Sequence, residues 1–175
     1  KMIPGMTVIN TCDYNQTKNA TIAIANHHGP VYLRFGRPKV PNFTSVNEPF
    51  QIGKAITLQE GSDISIFATG HTVWEALEAG QKLKENNISC EIINIATIKP
   101  LDESAILESI KKTKCAITTE EHQILGGLGG SVAQLTAKHH PIPLEFVGVN
   151  DSFGESGKPM DLIKKYKIDR DSIFN

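Results

Sequence analysis

From Asp63 onward the apolar positions switch repeatedly between short continuous runs and a helical repeat. Asp63-Ile-Ser-Ile-Phe-Ala-Thr69 is the first run, and such an unbroken stretch between turn residues predicts a strand buried on both faces. Gly70 turns it into a helix expected over Thr72–Asn86, with Val73, Trp74, Leu77, Gly80 and Leu83 facing inward. Ile88–Ala96 predicts the next strand, and Pro100 with Asp102 opens a helix through Lys111. Lys114–Thr119 predicts a third strand, Gly130–Lys138 a third helix, Leu144–Val149 a fourth strand and Pro159–Tyr166 a last helix. Strands alternating with helices imply parallel neighbours joined by right-handed crossovers. The expected fold class is α/β: a doubly wound, mostly parallel sheet with helices on both faces.

The first part of the chain has a different rhythm. Met6–Asn10 reads as a short strand, and Asp13 can cap a helix over Tyr14–Asn26 with apolar positions at Ala20, Ile22, Ala23 and Ile24. His27-His-Gly-Pro30 stops that helix, and Val31-Tyr-Leu-Arg-Phe35 is a second strand. Pro38 to Pro49 holds three prolines and little periodicity, so it reads as a linker. The expected division is therefore 1–45, a short strand-helix-strand piece with its linker, and 46–175, the α/β layer; Ala55–Leu58 would be an edge strand of the second part. Lys1-Met-Ile-Pro-Gly-Met opens close to a strand, and the chain is expected to be part of something longer.

Composition narrows the function classes. The 175 residues are 39% hydrophobic, enough for a sizeable core, and the formal net charge is −1. Without a basic run longer than two residues there is no electrostatic footprint for nucleic acid. No apolar stretch has membrane length, and no signal peptide is visible. Cys12, Cys90 and Cys115 cannot all pair; Cys90 and Cys115 sit in apolar runs and read as reduced core residues, which fits a cytoplasmic protein. No cysteine or histidine spacing suggests a metal site.

The densest chemistry lies in Thr118-Thr-Glu-Glu-His-Gln-Ile-Leu-Gly-Gly-Leu-Gly-Gly-Ser-Val132. A β-rich run ends in two acids and a histidine, a glycine loop follows, and a helix begins. Gly126–Gly130 fits a dinucleotide fingerprint poorly, because Val132 stands where the last glycine should be and this is not the first βα turn. A turn that lets the helix pack closely, or amides that receive an anion or a carboxylate of the protein, are the better readings. Glu120 and Glu121 are neighbours at a strand end and point opposite ways. Together with His122, which titrates near neutrality, they are candidates for loop or interface use rather than acid–base work. The tandem pairs His27-His28 and His139-His140 sit at helix ends, where cations are favoured, and His71 reads as a surface loop residue. Trp74 reads as core or subunit contact. Arg34-Phe-Gly-Arg37 places Arg34 and Phe35 on opposite faces and Arg37 just past the strand, where guanidinium groups could grip a phosphate or carboxylate or merely form ion pairs.

In order along the chain, these pieces resemble the C-terminal part of the transketolase family of thiamine diphosphate enzymes. Pro4-Gly-Met-Thr-Val-Ile, Cys12-Asp13 and Gly29-Pro-Val-Tyr-Leu-Arg-Phe-Gly-Arg-Pro38 resemble the tail of its pyrimidine-binding domain. Ile66-Phe-Ala-Thr-Gly70, Ile95-Ala-Thr-Ile-Lys-Pro-Leu-Asp102, Glu120-Glu-His-Gln-Ile-Leu-Gly-Gly-Leu-Gly-Gly130 and Phe153-Gly-Glu-Ser-Gly157 resemble its C-terminal domain. Deoxyxylulose-5-phosphate synthase and the β chain of 2-oxoacid dehydrogenases share this layout. Gly36-Arg-Pro-Lys-Val-Pro41 and Phe153–Gly157 favour transketolase, particularly a form split into two polypeptides.

The resemblance implies a transferase component that moves a two-carbon ketol unit between sugar phosphates in the pentose phosphate pathway. It implies a homodimer completed by an N-terminal section or subunit. Thiamine diphosphate and Mg2+ would bind in that N-terminal part, none is expected on these residues, and no catalytic residue is carried over, so this segment alone would be inactive. Arg37 matches the family arginine that binds substrate phosphate, with Arg34 as a second, while Glu121, His122, Gly127 and Gly129 fall in the loop expected to support subunit contacts. The competing reading is a non-catalytic domain that binds an anion through Gly126–Gly130 or only forms a dimer.

Overall fold

The computed structural model describes residues 1–175 and contains two sheets. In the second part the strands are β3 (Ile56–Gln59), β4 (Ile64–Ala68), β5 (Cys90–Asn94), β7 (Ala116–Gln123) and β8 (Leu144–Val149), in the spatial order β3-β5-β4-β7-β8. The β4, β5, β7 and β8 strands run parallel, and β3 closes one edge antiparallel to β5. The chain first winds from β4 to β5 and then crosses back over β4 to β7. The carboxyl ends of β4 and β7 therefore form the point where the winding reverses, where sheets of this kind open a crevice.

Alternation along β4 sends its side chains to two separate cores. Ile66 and Ala68 meet Val73, Ala76, Ala79 and Leu83 of helix α2 (Thr72–Glu85), with Ile168 and Ile173 beyond. Phe67 points the other way, to Ile106 and Ile110 of α3 (Glu103–Thr113) and Leu128, Val132 and Leu135 of α4 (Leu128–His139). A fully buried residue of this size contributes roughly 1.5–3 kcal/mol, so matching layers on both faces give the sheet its stability. On the α3 side the buried polar groups pair with one another: Ser65 Oγ lies 2.6 Å from both Ser109 Oγ and Thr113 Oγ1, and buried Glu91 accepts from Ser109 and Lys112.

The first part holds β1 (Thr7–Asn10), α1 (Tyr14–Ala25) and β2 (Val31–Arg34). Asp13 caps α1 as expected, accepting from Gln16 N at 2.8 Å. β1 pairs parallel with β2 on one side and antiparallel with β6 (Thr97–Lys99) on the other. The short β6 strand was not predicted: Ile95–Ile98 looks like a continuation of β5, but a bend after Asn94 carries the chain from the larger sheet into the smaller one. Asn10 N donates to Ala96 O at 2.8 Å at that crossing. The two sheets are thereby hydrogen-bonded through one segment.

Several sequence expectations change. Residues 38–49 are not a free linker: Asp13 Oδ2 accepts from Phe43 N and Thr44 N at 2.9 and 2.8 Å, Asn15 and Asn19 hold the backbone carbonyls of Thr44 and Glu48, and Phe43 stacks on Trp74. Trp74 and Leu77 are half-buried rather than fully inward, while Cys115, outside the start of β7, is partly exposed and not a core residue. β7 runs four residues past the expected Thr119, and α4 starts at Leu128 instead of Gly130. Besides the expected late helix α5 (Pro159–Lys165), a short α6 (Arg170–Phe174) capped by Asp169 packs on α2.

Candidate functional site

The register of β1 and β2 sets Asn10 beside Arg34. With period-2 alternation, Val8, Asn10, Tyr32 and Arg34 share one face of the small sheet. That face looks across at the carboxyl end of β7 and the loop into α4. Between them lies a cavity of about 260 Å³ lined by Arg34, Asn10, Glu120, His122 and Gly127, among others. Two segments far apart in sequence thus build its walls, and Lys1 and Ile98 close its side.

Glu120 organises the far wall. It is 3% exposed, and its carboxylate accepts from Leu128 N at 2.8 Å and Gly129 N at 2.9 Å. The carboxylate therefore caps the first turn of α4, where free amides and the helix dipole both favour a negative charge. Burial pushes the Glu120 carboxyl above the ordinary carboxylate value, against the pull of those two amides and of Lys1 and Arg34. The Lys1 ammonium in turn donates to Gly127 O and Ser131 Oγ at 3.1 and 2.6 Å; burial lowers its pKa and the Glu120 charge partly restores it. A Cβ on Gly127 would occupy the space of the Glu120 carboxylate, and one on Gly129 would come within 2.7 Å of the Phe146 ring. The glycines are thus required by close packing. The anion at this helix start is the protein's own Glu120, which fills the place a dinucleotide phosphate would need.

His122 sits two residues further along β7. Burial, and then the positive Arg34, lower its pKa from 6.5 to about 4, so the ring is neutral in the fold at physiological pH. A depressed folded pKa contributes stability that is present above the unfolded value and lost as pH falls through the folded one. The full shift from 6.5 to about 4 corresponds to roughly 3 kcal/mol, and water at this half-buried ring reduces it to about 1–2 kcal/mol. Glu120 works in the opposite sense, because its raised carboxyl favours the fold at low pH and costs stability as pH rises. Urea unfolding from pH 7 down to pH 4 is expected to show the acid-side loss in the native chain and a flatter profile in His122→Gln. Equal slopes in the two proteins would exclude His122 as the cause.

A second group lies beside this cavity. His71, expected at the surface, is 7% exposed at the point where the winding reverses. Its ring is packed against Gly36, where a Cβ would overlap the imidazole, and its Nδ1 is 3.8 Å from Glu121 Oε1. Glu120 and Glu121 thus serve different neighbours. The turn at Gly36 leads to Arg37, which is exposed, and Phe35 is exposed beside it. The structure therefore brings Arg34, His122 and Gly127 together, places Glu121 with His71, buries Gly129 under Phe146 and leaves Arg37 on the surface. Asn10 and His71 were not foreseen as part of this region. Asn10 carried no sequence signal, whereas His71 could have been suspected from its place directly after the first buried strand. No three His, Cys, Asp or Glu side chains converge to hold a metal ion.

Comparison with known proteins follows the same outline. The family model described as transketolase, C-terminal domain, matches residues 53–173. A Methanocaldococcus jannaschii protein named as a transketolase C-terminal section is 47% identical, covering 99% of this chain and 55% of its own length. A 6-deoxy-6-sulfo-D-fructose transketolase subunit from a Clostridium species is 42% identical over 95% of this chain and 52% of its own length. Among solved structures, a split-gene transketolase described as an inactive β4 tetramer superposes with a TM-score of 0.96 at 38% identity, covering 99% of this chain and 57% of that one. The chain spans about half the length of these relatives.

Proposed function

Because the chain belongs to the transketolase family, we propose that it is the C-terminal part of a thiamine-diphosphate-dependent transketolase that transfers a two-carbon ketol unit between sugar phosphates. What supports the reading is the end-to-end likeness to C-terminal sections and subunits of that family. Residues 1–45 would be the tail of the pyrimidine-binding domain and 46–175 the C-terminal domain. An N-terminal section, on the same or a partner polypeptide, would complete the enzyme in the cytoplasm, where the unpaired thiols of Cys12, Cys90 and Cys115 are at home.

The residues present do not fit the cofactor. No set of carboxylates and histidines converges for its divalent ion, and the α4 amides are taken by Glu120. The share of this chain in the reaction is therefore binding and positioning. Arg37, exposed on the turn after β2, would take the substrate phosphate as a planar fork on its oxygens. Gly36 against His71 sets that turn, so the C-terminal domain fixes where the arginine stands. Exposed Phe35, Leu125 and Phe153 suit burial in a homodimer with the completing section.

Reconstitution tests the proposal. This chain, combined with the N-terminal section and the remainder of the pyrimidine-binding domain, thiamine diphosphate and Mg2+, is expected to transfer ketol units, with no transfer by this chain alone. Transfer by the isolated chain, or a stable complex of both parts without transfer, would count against it.

A further inference from the structure

We propose that the cavity between the small sheet and the β7–α4 loop is a binding site for a small organic acid carrying a single negative charge. The inference does not depend on the role assigned to Arg37, which does not line the cavity.

Two donors there lack partners. The Arg34 guanidinium lines the cavity, and no carboxylate lies within ion-pair distance of it. Asn10, beside it in register, is 3% exposed, yet its Nδ2 makes no hydrogen bond. Buried amide donors are seldom left unpaired, and this one, packed against Gly70 in a residue that lines the cavity, would meet an acceptor there after a small turn of the amide. A guanidinium fork with a side-chain amide beside it matches the two oxygens of a carboxylate. The position agrees, since the carboxyl ends of β4 and β7 contribute Thr69, Glu120 and His122 where the winding of the sheet reverses.

Size, charge and lining select the ligand. At about 260 Å³ the cavity falls just under the roughly 300–1,000 Å³ of drug-sized sites, which suits a short metabolite and not a nucleotide. The side chains of Arg34 and Lys1 are positive and that of Glu120 is negative, so one positive side-chain charge remains for the ligand. That balance favours a monocarboxylate over a doubly charged phosphate. Val8, Ile98 and Leu128 give an apolar wall for a short carbon chain, and the neutral His122 ring can exchange a hydrogen bond with a hydroxyl or carbonyl on it.

Titration of the chain with butyrate, followed by nitrogen–proton NMR, tests the site. The Asn10 side-chain amide and the Arg34 Nε–H are expected to shift together and saturate with one Kd. Arg34→Gln should weaken binding at least about tenfold, and Arg34→Lys, which keeps the charge but loses the fork, by several-fold. Lys39→Gln, an equal charge change on the exposed turn, should bind like the native chain. An unchanged amide spectrum away from the cavity confirms that each variant is folded. The proposal is overturned if butyrate shifts neither group up to about 10 mM, a range that covers weak metabolite binding. Arg34→Gln binding as tightly as the native chain overturns it too, as does inorganic phosphate binding more tightly than butyrate. Because no catalytic partner is present, this result and the outcome of reconstitution are independent.

Discussion

Arg37→Ala in the reconstituted enzyme is expected to lower kcat/KM for a phosphorylated sugar roughly 10- to 100-fold, mainly through KM. A hydrogen bond to a charged group contributes about 1.5–3 kcal/mol, and each 1.4 kcal/mol is about tenfold. The phosphate is remote from the bond that breaks, so it is held equally in ground and transition states, and uniform binding appears in KM. A sugar without the phosphate should react equally well with both enzymes, which separates phosphate recognition from damage to the fold. Arg37→Lys should recover only part of the loss, because an ammonium cannot present two parallel donors. Stability should not change, since Arg37 is exposed. A loss of the same size with the unphosphorylated sugar would remove Arg37 from the proposed role.

Glu120→Ala should be the most damaging single substitution in the β7–α4 loop, at about 2–4 kcal/mol. It strips the acceptor from Leu128 N and Gly129 N, both buried, and each orphaned donor costs about 1–3 kcal/mol. The raised pKa of Glu120 shows that burying its charge already has a cost, which trims the total. At about 2–4 °C per kcal/mol for a chain of this size, Tm should fall roughly 5–15 °C. Glu121→Ala, one residue on, should shift stability by less than about 0.5 kcal/mol, because a partly exposed pair at 3.8 Å carries little. Urea melts of the two variants decide the matter. Equal losses would mean that the capping bond is not what holds the loop.

Much of the architecture was readable beforehand because its causes are local. The switch from apolar runs to helical repeats reports which face of each element is buried, and the observed β4, α2, β5, α3 and β8 lie close to their predicted spans. Asp13 and Asp102 were visible as helix caps for the same reason: the capped amides lie within three residues of the cap. The family was legible from the ordered succession of short motifs, each a local feature.

The site was less legible, because its partners are far apart in sequence. Arg34 could be picked as an anion-gripping residue, but not that β2 would lay it beside Asn10 and across from His122, with 88 positions separating the arginine from the histidine. Periodicity cannot report that β6 leaves the larger sheet, since a three-residue strand inside an apolar run has no period of its own. The glycine loop was expected to receive an anion or a carboxylate of the protein, and which of the two depended on the length of β7. Running on to Gln123, that strand aims Glu120 at the amides of Leu128 and Gly129. By itself, then, the sequence determined the elements, the two-faced core and the family, because these follow from neighbours along the chain. Only the tertiary structure decided which charges are buried, which donors are left without partners and where the cavity lies, because these depend on distances between segments that the chain brings together only when it folds.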